Sequence, residues 1–291
     1  MSTNIKNVLL SQFISQTIPF DLISIEELRQ RCTKYGFDLS MVHRLQFNAL
    51  MIVTKGRTKH TIDFKSHEVL PGVVLPLTKE QVHAFDLENP FEGYVLSFEE
   101  TLITQNISEN NLFHFLHLFY TPQVFIQEAQ LGALNPYLKL LQSIQHNPDA
   151  TLKEELLQSA FMALLFQIIR LSQIDSQTLE SQRFLDFIRL KQLLRKHLHE
   201  FHNAKDYADM LSVSYKYLND ICKENSNQTI KSFIDHWLML ETKRLITENK
   251  YSLQEIAFKM GFQEPSNFIR FFKKHTGESP GQFKSKMLVM N

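Results

Sequence analysis

The chain has 291 residues, 43% of them hydrophobic and 24 of them phenylalanine, which is core material for about two domains and excludes a disordered polymer. Its 31 basic and 31 acidic residues cancel, and two cysteines, Cys32 and Cys222, are too few for a disulfide framework or a cysteine-rich zinc site. No basic segment followed by an apolar run opens the chain and no uncharged apolar stretch of ~18 residues occurs, so a soluble cytoplasmic protein with no membrane contact is expected.

Residues 5–30 carry either a weak helix or an extended lead-in, which the pattern does not separate. Beyond Gly36 the texture changes to short runs rich in β-branched and aromatic residues: His43 to Leu50, Leu50 to Val53, Thr58 to Phe64, Val69 to Pro76, Val82 to Leu87 and Tyr94 to Phe98. Turn signals fall at Lys55-Gly56, Pro71-Gly72 and Asn89-Pro90. Short strands at this spacing predict a small barrel or double-stranded β-helix in place of an open parallel sheet. Helical periodicity then runs over Asn111 to Tyr120, Gln130 to Gln145 and Leu152 to Ser172. In the last helix the stripe of Leu152, Leu156, Leu157, Phe161, Leu164, Leu165, Ile168 and Leu171 must be buried, against its own barrel or against a second subunit. Ile174 to Gln182 is polar and reads as a linker.

Phe184 to Phe201 opens a second domain in which a helix-turn-helix pattern occurs twice. In the first copy Asn203 is placed to cap a short helix, with Asp206 completing a capping box. After the turn Ser212-Val213-Ser214, the helix from Tyr215 to Lys223 points Leu218, Ile221 and Cys222 inward. Its candidate ligand contacts are Ser214, Tyr215, Lys216, Asn219 and Lys223, while Tyr217 suits a ligand face and the core equally.

In the second copy Ser252 and Glu255 form a capping box, Ile256, Ala257 and Met260 face inward, and Gly261 ends the helix, with Phe262 anchoring the turn. A second helix begins at Glu264 or Pro265, with Phe268, Phe271 and Phe272 as its buried stripe. Its candidate contacts are Glu264, Pro265, Ser266, Asn267, Arg270, Lys273 and Lys274. Ser266, Asn267 and Arg270 are short or forked groups able to reach base edges, and the two lysines can neutralise phosphates. The alternative is an ordinary solvated amphipathic helix. Between the copies, Thr229 to Glu248 predicts a helix roughly 30 Å long, close to the ~34 Å repeat of the major groove.

Charge separates the two parts. Residues 183–291 hold 18 Lys plus Arg against 12 Asp plus Glu, and residues 1–182 hold 13 against 19. A cationic carboxy-terminal part fits a polyphosphate partner whose binding weakens with salt.

Residues Ile256-Ala257, Gly261-Phe262, Phe268, Arg270, Phe272-Lys273-Lys274, Gly277 and Ser279-Pro280, with Tyr217-Leu218-Asn219, Lys223 and Lys243-Arg244-Leu245 upstream, resemble the DNA-binding domain of AraC/XylS-type transcriptional regulators. Two positions depart: Asn227 stands where the family usually has glycine, and Asp220 stands where a basic residue is common. Thr54-Lys55-Gly56 and Gln81-Val82-His83-Ala84 resemble the cupin-like effector domain of such regulators. The resemblance implies an α+β chain. A cupin-like β-barrel with flanking helices would occupy residues 1–173, a linker 174–182, and an all-α domain with two helix-turn-helix units joined by a long helix 183–291.

It further implies a transcription activator that binds double-stranded DNA, responds to a small-molecule effector, works with RNA polymerase and forms a homodimer, with no enzymatic activity. Phe47, His60, His83 and Tyr94 are the candidate effector contacts, although each also suits plain barrel core. His60, His67 and His83 are scattered without a His-x-His and nearby Glu, so no metal or other cofactor is expected. The competing readings are a metal-dependent cupin enzyme with an appended nucleic-acid-binding module and a regulator governed by a partner protein.

Overall fold

The computed structural model describes residues 6–12, 18–86, 89–104, 107–121, 123–149, 151–172 and 181–289. The chain divides into two compact units, one over Asn7–Leu179 and the other over Glu180–Asn291. Residues 174–180 of the expected linker lie outside the described residues.

The first unit is built on two five-stranded sheets. Its strands are β1 (Lys6–Val8), β2 (Phe20–Ser24), β3 (His43–Leu45), β4 (Asn48–Gly56), β5 (Thr58–Ile62), β6 (Lys65–Val69), β7 (Val73–Leu77), β8 (Val82–Phe85), β9 (Phe91–Phe98) and β10 (Val124–Phe125). They are ordered β1-β3-β8-β5-β6 and β10-β7-β4-β9-β2. Strand β4 is central because both of its faces are apolar. Ala49, Met51 and Val53 join the core between the sheets, and Leu50 and Ile52 on the alternate face are equally buried.

That second face is covered by helices α3 (Glu109–Tyr120) and α5 (Lys153–Leu171). Phe98 of β9 meets Phe119 at 5.4 Å and Phe161 at 4.8 Å between ring centroids, and Phe20 of β2 meets Phe161 at 6.0 Å. The stripe on α5 is buried within its own unit at Leu157, Phe161, Leu164, Leu165 and Ile168, with Phe161 reaching the sheet, while Leu152 and Leu156 stay exposed.

Several expected boundaries move for identifiable reasons. The run from His43 to Leu50 breaks at Gln46-Phe47, because its two halves belong to different sheets. The strand expected to reach Phe64 stops at Ile62. Asp63 and Phe64 take φ of 48° and 67° and form a two-residue hairpin turn, and the polar run Lys65–Val69 returns as an edge strand. Residues 20–34, unplaced by periodicity, form β2 and helix α1 (Ile25–Lys34), whose first turn is capped by Ser24 Oγ accepting from Glu27 N. Helix α2 (Glu100–Thr104) follows β9. The helix expected from Gln130 opens as a 3-10 stretch over Glu128–Leu134 and becomes helix α4 (Asn135–His146), with Pro136 in its first turn, where a missing N–H costs nothing.

The second unit comprises α6 (Gln182–His197), α7 (Ala204–Met210), α8 (Tyr215–Ser226), α9 (Ile230–Glu248), α10 (Leu253–Lys259), α11 (Pro265–Thr276) and α12 (Pro280–Val289). Helices α7 and α8 are the first helix-turn-helix, α10 and α11 the second, and α9 runs between them. The capping box of α10 is complete: Ser252 N donates to Glu255 Oε2 at 2.7 Å and Glu255 N to Ser252 Oγ at 3.2 Å. The box expected at Asn203 does not form. No side-chain cap bond is made there, and Asp206, one methylene shorter than the Glu such a box uses, only closes its own N–H on Asn203 O. Gly261 sits at φ 76°, and a Cβ there would collide with the carbonyl oxygen of His199, so the sharp turn of the second copy demands glycine. Asn227 ends α8 in the left-handed conformation that Gly277 adopts at the end of α11.

Candidate nucleic-acid interface and sensor cavity

Helix α11 is fastened from below and open above. Phe268 and Phe272 are fully buried, and Phe262 packs against Phe268 and Phe271 with ring centroids 5.5 and 5.4 Å away. Phe271, expected in the buried stripe, is only half-buried, because it lies at the flank between core and solvent. On the opposite arc Glu264, Ser266, Asn267, Arg270, Lys273 and Lys274 are exposed, and Pro265 is half-buried at the first turn. Ser266 Oγ donates to Glu264 Oε2 at 3.2 Å, and Arg270 Nη2 donates to Asn267 Oδ1. The second bond orders the guanidinium while leaving most of its donors for another acceptor.

One member of this arc was not anticipated. Ile269 is 44% exposed, one turn after Ser266 and one turn before Lys273. The signal was present in the sequence, since 269 lies off the 268/272 stripe, but an isoleucine reads by default as core.

Helix α8 is arranged differently. Tyr215, Lys216 and Lys223 are exposed, but Ser214 is used as the cap, its Oγ accepting from Tyr217 N at 3.1 Å. Asn219 is half-buried, and its Oδ1 accepts from Ile230 N at 3.2 Å, so it serves the start of α9. The flank of α8 is tied to α6. Arg183 Nε donates to Glu224 Oε2 at 2.8 Å and its guanidinium lies 5.1 Å from the Tyr217 ring centre, while Asp186 accepts from Tyr217, Gln182 and Arg189. The first helix thus presents fewer uncommitted cationic groups than the second.

Between the two sheets lies a cavity of about 60 Å3. Phe47, Met51, Phe85 and Val95 form apolar wall, and Asp21, Arg31, His43 and His83 supply the polar edge. Of the four residues expected to meet an effector, Phe47 and His83 line it. His60 stands just behind, with its Nε2 3.1 Å from His83 Nδ1. Tyr94 does not belong: it lies on the opposite pleat of β9 from Val95 and faces a separate open groove with Ser24, Arg29 and Lys55. His43, which the sequence reading did not single out, joins the cluster, its ring 4.1 Å from that of His83 and its Nδ1 2.9 Å from Met41 O.

Burial holds these imidazoles neutral. It lowers His43 to about 4, and it lowers His60 to about 3 with smaller contributions from His43 and His67. His83 lies well below its ordinary value, again through burial first. Asp21 is raised by burial against the opposing pull of Arg31, whose Nη1 donates to Asp21 Oδ2 at 2.7 Å. Two ring nitrogens of the cluster bond each other and a third is spent on Met41. Among the described residues no group of three or more His, Cys, Asp or Glu side chains could hold a metal ion, so the cluster does not fit a cupin-type metal.

Residues 24–198 match the family described as the AraC-like ligand binding domain, and residues 207–286 match that described as a helix-turn-helix domain. The Msm operon regulatory protein of Streptococcus mutans is 21% identical over 273 residues, covering 92% of this chain and 94% of its own. The HTH-type transcriptional activator RhaR of Mannheimia succiniciproducens is 21% identical over 282 residues, covering 96% of each. Among solved structures, ToxT of Vibrio cholerae with a bound unsaturated fatty acid aligns over 93% of this chain and 96% of its own at a TM-score of 0.45 and 13% identity.

Proposed function

The chain belongs to the AraC family of transcription regulators, and from that premise we propose that the exposed arc of α11 reads an operator in double-stranded DNA while the cavity between the two sheets receives a small-molecule effector. The single observation that carries the first half is the division of α11. Its Phe268 and Phe272 side is locked into the core, and its Ser266, Asn267, Arg270, Lys273 and Lys274 side meets solvent, which suits base edges and phosphates together. The 19 residues of α9 span ~27 Å, a length compatible with two heads one groove repeat apart. Within that arrangement α11 supplies base contacts and α8, through Tyr215, Lys216 and Lys223, supplies phosphate contacts.

The same reading makes the protein a cytoplasmic activator that meets RNA polymerase at its promoter and pairs as a homodimer through the exposed Leu152 and Leu156 edge of α5. The presence of a full-length relative named as an activator supports the sign of regulation. No helix among the described residues is long and apolar enough to cross a membrane. An effector acts only through different affinity for the DNA-competent and DNA-incompetent arrangements.

Selection of duplexes from a randomised pool by the full chain, followed by titration at several salt concentrations, tests the proposal. A recovered consensus whose affinity falls steeply with salt is expected; salt-sensitive binding with no sequence preference would remove base reading from α11.

A further inference from the structure

Apart from the cavity between the sheets, the first unit carries a second and roomier space. It is an open groove of about 490 Å3, a size that suits a small molecule. Arg29 of α1, Thr54 and Lys55 near the end of β4, and Phe91 and Tyr94 of β9 line it. Thr54 reaches the groove from a bulge: Val53 pairs with Gly93 and Lys55 with Glu92, so Thr54 is the extra residue of the ladder.

Arg29 sets this groove apart from an ordinary surface crease. Among the described residues its guanidinium makes no hydrogen bond and no ion pair, and what it meets is the Phe91 ring, whose centre lies 5.3 Å away. Arg31 on the same helix and Arg57 just beyond β4 each face a carboxylate, at 2.7 and 3.1 Å. In Arg29 the Nε and Nη2 atoms are sealed from solvent without an acceptor, and Nη1 alone keeps accessible surface. A half-buried cation with none of its five N–H donors paired within the protein is costly. An entering group would touch Nη1 and relieve the sealed pair through charge alone, which an anion does far better than a neutral acceptor.

The rest of the lining narrows the anion. The hydroxyls of Thr54 and Tyr94 make no hydrogen bond to any described residue. Lys55 and Glu92 pair at 3.0 Å with both side chains mostly in water, and Glu26, also on the groove, accepts from Gln30. Two cations against two carboxylates leave room for one added negative charge beside Arg29 and oppose a doubly charged phosphate. Pro90 and Phe91 supply apolar lining for an organic body.

We propose that this groove is a second small-molecule site of the first unit, one that takes a small organic monocarboxylate on Nη1 of Arg29 with Thr54 and Tyr94 as hydroxyl donors. It stands whether or not the cavity between the sheets receives an effector.

The test uses the full chain labelled with 15N-arginine, the Arg29 Nε–Hε signal being assigned by its loss in Arg29→Gln. Benzoate and benzamide, alike in shape, and inorganic phosphate are titrated at constant ionic strength. Benzoate is expected to move the Arg29 signal saturably, and benzamide at equal concentration to leave it in place. Phosphate is expected to bind more weakly than benzoate. By calorimetry, Arg29→Gln is expected to lose benzoate binding, with Arg29→Met serving if that variant does not fold, and Tyr94→Phe to weaken it about five-fold. No saturable shift with benzoate, an equal shift with benzamide, tighter binding of phosphate, or benzoate affinity that survives loss of the guanidinium or of the Tyr94 hydroxyl overturns the proposal.

Discussion

Tyr217 on the first helix-turn-helix donates its hydroxyl to Asp186 Oδ2 on α6 at 2.8 Å, and the same carboxylate accepts from Gln182 and Arg189. The aromatic ring is half-buried beneath Arg183. Removing the hydroxyl leaves Asp186 with its other donors and removes one charge-assisted bond near the surface. Tyr217→Phe is expected to cost about 1 kcal/mol of stability in the second unit, read by chemical denaturation. Its DNA sequence preference should not change. A shift in the selected consensus would mean that Tyr217 reads a base.

Arg270 and Lys274 share a helix and differ in expected role. If the guanidinium reaches a guanine edge, Arg270→Ala should weaken specific binding by about 1 to 3 kcal/mol and relax one position of the consensus. Lys274→Ala should weaken all sequences alike and lower the salt slope by about one unit. Anisotropy titrations on matched and scrambled duplexes separate the two outcomes.

Ile269 offers a methyl-rich surface in the middle of a polar arc, the kind of group that packs on a thymine methyl. Ile269→Ala should reduce specific affinity about five-fold or more while leaving stability within about 0.5 kcal/mol, since the side chain is not in the core. Replacing single thymines of the consensus by deoxyuridine should reproduce the loss at one position in the wild-type protein and have no effect there in the variant.

The buried histidines make stability depend on acid. In the unfolded chain each titrates near 6.5, but in the folded chain His43 titrates at about 4 and His60 at about 3. The unfolded state therefore takes up protons first as pH falls below about 6.5. Stability contributed by the neutral rings is complete above that value and declines toward pH 4, by roughly 1.4 kcal/mol per pH unit for each such histidine. Denaturation midpoints at pH 7 and pH 5 should differ accordingly, and His60→Phe, if folded, should flatten the slope. An unchanged midpoint across that range would contradict the neutral cluster.

How much of this was legible in the sequence depended on whether the signal was local. Ser252 with Glu255 wrote a capping box that forms, and Phe268 and Phe272 wrote a stripe that is buried, because a helix encodes its inner face within a few residues. The left-handed Asn227 was likewise visible as a substitute for glycine. What escaped was decided by distant partners. The strand Phe20–Ser24 exists because β9 pairs with it, and His43 belongs to the cavity because β3 pairs with β8. Tyr94 was misplaced because alternation within β9 tells two faces apart but does not say which one points between the sheets. Asn219 looked available for DNA until Ile230, eleven residues later, took its oxygen.

The two helix-turn-helix copies keep the same left-handed helix ends at Asn227 and Gly277 but carry unlike outer surfaces, one bound up with Arg183 and Asp186 and the other open and basic. One subunit with unlike ends cannot lie equally well both ways round on a duplex. Each subunit's half of the footprint therefore has a polarity, and reversing one half-site against the other should weaken the grip of the pair while leaving that of a single subunit unchanged.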